Sequence, residues 1–137
     1  MLVRDRMSSH PVTIRADADY KKALILMQDH AMHHVPVLDA GDKLVGVLAE
    51  RDVLLALAHY LQSAIEVAEV MHRNVVTAAP DMPITEAAML MVNNKIGGLP
   101  VIDGDQRVVG IITETDIFTA FVELLSQDKT IKLRMKS

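Results

Sequence analysis

Two segments of the chain carry apolar residues three and four positions apart, the spacing of a single buried helix face. This pattern predicts helices over Tyr20–Ala31 and Ile84–Asn94. After each of them come two short aliphatic runs separated by a polar loop, which indicates two strands joined by a turn, and a second apolar helix is expected to follow. The predicted strands and closing helices are Val35–Leu38, Leu44–Leu48 and Arg51–Tyr60, then Leu99–Ile102, Val108–Ile112 and Thr115–Leu125.

The order of elements repeats because the chain is an internal duplication. Residues 3–58 and 67–122 align without a gap, and sixteen of the paired positions are identical. A short strand is expected before the first helix of each repeat, at Val12–Ile14 and Val75–Thr77. The predicted fold class is therefore α/β (α+β), with two β-α-β-β-α units at 1–61 and 62–125 and a polar tail at 126–137. Because a unit of this size is marginal alone, we expect the two to pack about a pseudo-twofold axis and enclose two equivalent clefts.

Composition narrows the functional classes. The 137 residues hold 14 basic and 18 acidic side chains, and only 3% of them are aromatic. Its acidic net charge does not favour contact with a phosphate backbone, and its few aromatic side chains offer little surface on which bases could stack, so no nucleic-acid partner is expected. The absence of cysteine excludes disulfides, thiolate metal sites and thiol nucleophiles. Since no apolar run approaches the ~20 residues that cross a bilayer, and the charged first residues do not fit a signal peptide, we expect a cytoplasmic protein without membrane contact.

The sharpest chemical signal lies where Thr113 and Asp116 open the last predicted helix. A helix N-terminus favours an anion, the Thr113 hydroxyl can donate to a phosphate oxygen, and Asp116 can accept from both hydroxyls of a ribose. The same Thr-x-x-Asp spacing is typical of a capping box, in which the carboxylate only closes the helix start. The first repeat keeps the carboxylate, as Asp52, but has Ala49 in place of the threonine. A carboxylate kept without its capping partner favours the ligand interpretation.

Each repeat resembles a cystathionine-β-synthase (CBS) domain. The resemblance rests on Val35-Pro-Val-Leu-Asp39 and Leu44-Val-Gly-Val-Leu-Ala-Glu-Arg-Asp52 in the first repeat, and on Ile96-Gly-Gly-Leu-Pro-Val-Ile-Asp103 and Val109-Gly-Ile-Ile-Thr-Glu-Thr-Asp116 in the second. These motifs agree with the family in order and spacing over nearly the whole chain, and bacterial pairs of the acetoin-utilisation type are the most similar. The resemblance implies a tandem pair that binds AMP, ADP or ATP in its clefts, with S-adenosylmethionine and NAD as further candidates.

For the second cleft, the resemblance implies that Thr113 contacts phosphate and Asp116 contacts the ribose diol. The adenine would lie between apolar side chains, and its edge would approach the backbone of a glycine pair, for which an ordinary turn is the alternative interpretation. These residues are Val76, Ile96, Leu99 and Ile111, together with Gly97, Gly98 and the nearby Pro100.

The first repeat departs from the family pattern at Ala49 and at His33 and His34, which stand where the second repeat has two glycines. These departures count against a full adenylate site at Asp52, which remains a candidate for weaker nucleoside binding. His34 or Arg51 could reach across the pseudo-twofold axis to a phosphate in the second cleft. A solvated Arg51 is the alternative.

No other constellation points to catalysis. His30, His33 and His34 are divided between a predicted helix and a strand edge, so no metal site is predicted, and no nucleophile–base arrangement is indicated by spacing. Together with the resemblance, this implies a non-catalytic regulatory module for an adenosine-containing ligand, with no required cofactor, acting on a protein that the sequence does not identify. Because the closing helices are apolar on more than one face, they are expected to pack against a further surface. The resemblance implies that this surface is the interface of a twofold homodimer. The alternative hypothesis is a structural dimerisation module whose clefts have no physiological ligand.

Overall fold

The computed structural model describes residues 1–60 and 64–127, except for the side chain of Tyr60. The elements of the first repeat are β1 (Ser8–Ser9), β2 (Ile14–Arg15), α1 (Tyr20–Asp29), β3 (His34–Leu38), β4 (Leu44–Ala49) and α2 (Glu50–Tyr60). Those of the second repeat are α3 (Ile84–Asn94), β5 (Gly98–Ile102), β6 (Val108–Thr113) and α4 (Glu114–Ser126). Short 3-10 turns at Val3–Asp5 and Val67–Glu69 occupy equivalent positions. The fold is mixed α/β, as the sequence predicts.

Two three-stranded sheets carry the two units. In one, β3 lies between β2, to which it is parallel, and β4, to which it is antiparallel. In the other, β6 lies between β1 and β5 and is antiparallel to both. The two hairpins have the same register, with Pro36 opposite Val47 in the first and Pro100 opposite Ile111 in the second. The duplicated sequence thus folds into a duplicated structure.

The segment at the start of each repeat pairs with the sheet of the other repeat. Strand β1 pairs with β6 through Ser8 opposite Ile111. At the equivalent position of the second repeat, His72 forms a bridge with Val47 of β4. Glu123 of α4 and Arg6 form an ion pair that adds to the first of these exchanges. The units are therefore joined by two crossed segments, one from each repeat.

The crossed segments also complete the hydrophobic cores. Val3 is fully buried in the core of the second unit, together with Leu99 and Ile112. Val67 is fully buried in the core of the first unit, where it joins residues such as Leu48. Each core therefore contains side chains from both repeats.

Glycine allows these segments to approach the strands. A Cβ atom on Gly110 would lie 2.9 Å from the carbonyl oxygen of Ser8, and one on Gly46 would lie 2.8 Å from that of His72. Cβ atoms essentially never come so near an oxygen atom. Both glycines are thus required by close backbone approach.

Most predicted elements are confirmed to within two residues, and α3 has the predicted bounds. Two short strands differ. The first lies at Ile14–Arg15 instead of Val12–Ile14. The predicted strand at Val75–Thr77 is wrong, because these residues form no strand in the structure. The next residue, Ala78, forms an isolated bridge with Val101, through backbone hydrogen bonds with β5.

The predicted polar tail lies mostly outside the described residues, which end at 127, just after α4. On the surface of α2 and α4, apolar side chains remain exposed. They are Leu54, Leu55, Phe118, Phe121, Val122, Leu124 and Leu125. None of the helices described is both long enough and apolar enough to cross a membrane.

Candidate functional site

Two adjoining cavities lie between the units. The linker-side cavity, of about 370 Å³, is bounded by residues 72–76 and by both hairpins. The helix-side cavity, of about 410 Å³, is bounded by residues 31–34 and by the start of α4. Both cavities have His34, Val47, Gly97, Gly98 and Pro100 in their walls. Each has the size of a small-molecule site.

Most of the residues predicted for the second cleft border these cavities. Val76 and Ile96 line the linker-side cavity, Ile111 and Thr113 line the helix-side cavity, and the Gly97–Gly98 pair and Pro100 line both. His34, which belongs to the first unit, also lines both cavities. The structure thus brings together an apolar wall, a glycine pair and the start of a helix.

Leu99 does not join them, contrary to the expectation that it would pack against an adenine. Its side chain is fully buried in the second core. Successive residues of a strand point to opposite faces of the sheet, so Gly98 and Pro100 border the cavities while Leu99 points inward. Leu99 is therefore excluded from the cavities because it is one residue away from both Gly98 and Pro100 along the strand, and so lies on the opposite face of the sheet.

The glycine pair is not demanded by the local backbone. No glycine in the described chain has a positive φ. A Cβ atom on Gly98 would lie 3.5 Å from the nearest atom, the carbonyl oxygen of Ile112, and one on Gly97 would also lie 3.5 Å from the nearest atom, in Glu114. These are ordinary contacts, so the fold would accept side chains there. What the glycines leave open is the space of the cavities.

At the start of α4, Asp116 is engaged with Thr113. One carboxylate oxygen, Oδ2, accepts a hydrogen bond from the Thr113 backbone N–H at 2.8 Å and another from its hydroxyl at 3.1 Å. The capping interpretation is therefore realised in this structure. Asp116 lines neither cavity, but Oδ1 accepts no hydrogen bond from the described residues, so this oxygen keeps its lone pairs for a ligand.

The equivalent carboxylate of the first unit has different surroundings. Oδ2 of Asp52 is buried and lies 2.7 Å from Nε2 of His72, which is an ion-pair distance, but it accepts no hydrogen bond from the described residues. His72 belongs to the crossed segment and lines the linker-side cavity. Asp52 lines neither cavity. The first unit therefore has an imidazole at ion-pair distance from its carboxylate, whereas in the second unit a threonine hydroxyl donates a hydrogen bond to the carboxylate.

Further histidines surround this contact. His33 Nδ1 lies 2.7 Å from Oε2 of Glu50, at the start of α2. Partial desolvation lowers the pKa of His34, although the residue is exposed; the neighbouring His33 and His72 lower it further, while the carboxylate of Asp52 acts against this shift. No group of three or more His, Asp or Glu side chains within the described ranges is arranged to hold a metal ion.

Arg51 is not placed beside the second cleft. It is exposed and lines a separate cavity of about 460 Å³ on the first unit, here called the surface cavity, together with His33, Glu50 and Leu54. The solvated interpretation of Arg51 thus agrees with its position.

Sequence reasoning missed the cavity residues His72, Arg73 and Asn74. They precede the expected strand at Val75–Thr77 and belong to none of the motifs described above. The only available signal was their position in the repeat, since His72 aligns with Ser8.

Comparison with known proteins identifies the family. A model of the CBS domain matches residues 3–59 and 67–123. The chain belongs to the CBS domain family. This CBS pair is 38% identical over 120 residues to the L-aspartate semialdehyde sulfurtransferase of Methanocaldococcus jannaschii, in an alignment that covers 88% of the pair and 23% of that relative. The pair thus spans about a quarter of the length of this relative.

Two solved structures show the same architecture. One is a protein of Vibrio cholerae assigned to acetoin utilization, with 36% identity, a TM-score of 0.81 and coverage of 100% of this pair and 97% of that chain. The other is a CBS domain pair in complex with 5′-methylthioadenosine and S-adenosyl-L-methionine, also with 36% identity and a TM-score of 0.81, covering 90% of this pair and 97% of that chain. The predicted family and fold are confirmed.

Proposed function

We propose that this CBS pair is a non-catalytic regulatory module that binds an adenosine-containing ligand in the cleft of its second unit. The adjoining cavities carry the proposal, because they place apolar side chains and open backbone beside a helix N-terminus with a hydroxyl and a carboxylate. Each part fits one part of such a ligand: a flat base, a ribose and an anionic group.

The linker-side cavity supplies the surface for the base. Val76 and Ile96 give it apolar side chains, and the backbone at Gly97 and Gly98 is not covered by a Cβ. Apolar faces favour burial of an aromatic ring, while backbone N–H and C=O groups can hydrogen-bond to its edge. That the fold would accept side chains at both glycines favours the ligand interpretation over the ordinary turn.

The start of α4 supplies the polar contacts. Oδ1 of Asp116 can accept from a ribose hydroxyl without breaking either bond to Thr113, both of which go to Oδ2. The Thr113 hydroxyl can turn from Asp116 toward a phosphate oxygen, exchanging one charge-assisted hydrogen bond for another. The helix N-terminus adds a favourable field for an anion.

The comparisons support the same ligand class. The CBS domain pair with 36% identity was crystallised with two adenosine derivatives. A ligand that binds one arrangement of the units more tightly shifts the population toward that arrangement. Through such a shift, in the cytoplasm, the module would regulate a partner protein.

Calorimetric titration with adenosine, AMP, ADP, ATP, S-adenosylmethionine and NAD tests the proposal. We expect saturable binding of at least one of them, and a loss of about 10–100-fold in affinity for Asp116→Ala, as expected when one charge-assisted hydrogen bond is removed. Asp105→Ala removes an exposed carboxylate from a loop of the same unit and should leave the affinity unchanged.

Because Asp116→Ala also removes the bonds to Thr113, the melting temperature of each ligand-free variant is measured, and titrations are run well below it. Failure of the wild-type protein to bind any of the six compounds would refute the proposal. The clefts would then be structural, and the module would act through its exposed helices alone.

Those helices favour a second feature of the proposal, a homodimer. Leu54 and Leu55 of α2, and Phe118 and Phe121 of α4, are exposed although they are large and apolar. Apolar helix faces of this kind are stabilised by burial against a second surface, and a twofold dimer provides the same surface from both protomers.

A further inference from the structure

The two repeats differ at the position that faces the helix-start carboxylate. His72 and Ser8 are equivalent in the duplication, and their backbones pair with equivalent strands, His72 with Val47 and Ser8 with Ile111. The two side chains therefore leave the backbone at matching places. One repeat presents an imidazole there, and the other presents a small hydroxyl that is exposed.

The imidazole contacts the carboxylate directly. Nε2 of His72 lies 2.7 Å from Oδ2 of Asp52, and this oxygen is buried. The side chain of Asp52 is 25% exposed, whereas that of His72 is 70% exposed. The imidazole thus lies beside the carboxylate, on the side of Oδ2, and is itself largely exposed. A ribose that approaches this carboxylate meets the ring, whereas at the equivalent place of the second unit it meets only the small side chain of Ser8.

The second unit has no such obstruction. Asp116 interacts with Thr113 of its own helix start, and both hydrogen bonds use Oδ2. In the first unit Ala49 replaces the threonine, so Asp52 lacks the hydroxyl bond, and its Oδ2 has the imidazole of His72 at ion-pair distance without a hydrogen bond. The two repeats therefore differ, at 49 and at 72, in what lies next to the carboxylate.

We propose that His72 is the specificity-determining residue that closes the first-unit carboxylate to ribose and confines an adenosine-containing ligand to the second-unit cleft. This inference rests on the proposed function of the second cleft. It assigns the inequality of the two clefts to a direct contact, made by a residue that lies outside the family motifs.

Exchange of the two equivalent residues tests the inference. The probe is 5′-methylthioadenosine, which has a ribose diol but no phosphate, so loss of the imidazole does not alter a phosphate contact. The wild-type protein should bind one equivalent per chain. His72→Ser, which installs the residue of the other repeat, should bind two, and Asp52→Ala in that background should restore one. His72→Gln keeps a long side chain beside the carboxylate and should remain at one.

The reciprocal variant is Ser8→His, which should weaken binding in the second cleft at least tenfold. A stoichiometry that stays at one in His72→Ser would overturn the inference while leaving the proposed function intact. Absence of binding in the wild-type protein would contradict the proposed function. In that case, binding of one equivalent by His72→Ser would still support the role of His72, and no binding by either would overturn both.

Discussion

Substitution of Gly110 by alanine should separate the crossed segment from its sheet. The new Cβ atom would lie 2.9 Å from the carbonyl oxygen of Ser8 and 2.6 Å from the sulfur of Met7. The methionine side chain can turn away, but the carbonyl belongs to β1, which is paired with β6. Relief of the contact therefore requires the backbone of β1 to move. Gly104→Ala is the matched control, because a Cβ atom there meets nothing within 4 Å.

The expected cost follows from this overpacking. Added atoms in a close-packed site typically destabilise by about 1–3 kcal/mol. For a chain of this length, that corresponds to a fall of about 4–12 °C in melting temperature, at roughly 4 °C per kcal/mol. Gly104→Ala should stay within about 1 °C of the wild type, since surface changes without new contacts are nearly neutral.

Differential scanning calorimetry gives the melting temperatures, and hydrogen exchange locates the effect. Amide protection should fall first in residues 1–9, because displacement of β1 breaks its pairing before it affects the rest of the sheet. A melting temperature of Gly110→Ala equal to that of Gly104→Ala would refute the explanation of this glycine by close approach.

Three further predictions concern the dimer, the phosphate and pH. Phe118→Glu places a charge on the exposed face of α4, so the mass measured by light scattering should fall from that of a dimer to 15.1 kDa. The control Met89→Glu, on α3, should leave the mass unchanged, and a dimeric Phe118→Glu protein would contradict the interface. AMP should bind more tightly than adenosine, and Thr113→Val should shrink that difference while Arg51→Ala, in the surface cavity, should not; equal wild-type affinities for the two ligands would exclude the phosphate contact. Desolvation holds the pKa of His34 below its ordinary value of 6.5, so the unfolded chain binds this proton first as the pH falls. The free energy of unfolding, measured by urea titration, should therefore decrease below about pH 6.5, and His34→Asn should reduce the slope of this free energy against pH. An unchanged slope would show that other groups cause the decrease.

The duplication made much of this fold predictable from sequence. An ungapped register fixes equivalent elements in both repeats, and hydrophobic spacing places helices such as α3 within each. The exchange of segments could not be predicted in the same way. Apolar residues such as Val3 and Val67 are recognisable as buried, but periodicity does not say which of two nearly identical cores will receive them.

The candidate site shows the same division. Motif spacing placed Thr113 and Asp116 together, and the capping alternative that it raised is present in the structure. Leu99 was misplaced because a motif records which residues are near a ligand, whereas strand alternation decides which side chains face it. The contact of His72 with Asp52 depends on the crossed segment, so no local pattern could have indicated it.

The crossed segments set an order on folding. Residues up to 72 contain everything that the first core needs, so this core can close while the second repeat is still being synthesised. Strand β1 must wait much longer, because its partner β6 lies near the other end of the described chain, and pairings so distant in sequence are the slow ones. Until then the segment that carries Val3 remains without its core. A neighbouring nascent chain that already presents the second sheet would compete for it, which makes reciprocal exchange of residues 1–9 the misassembly to which this topology is most exposed.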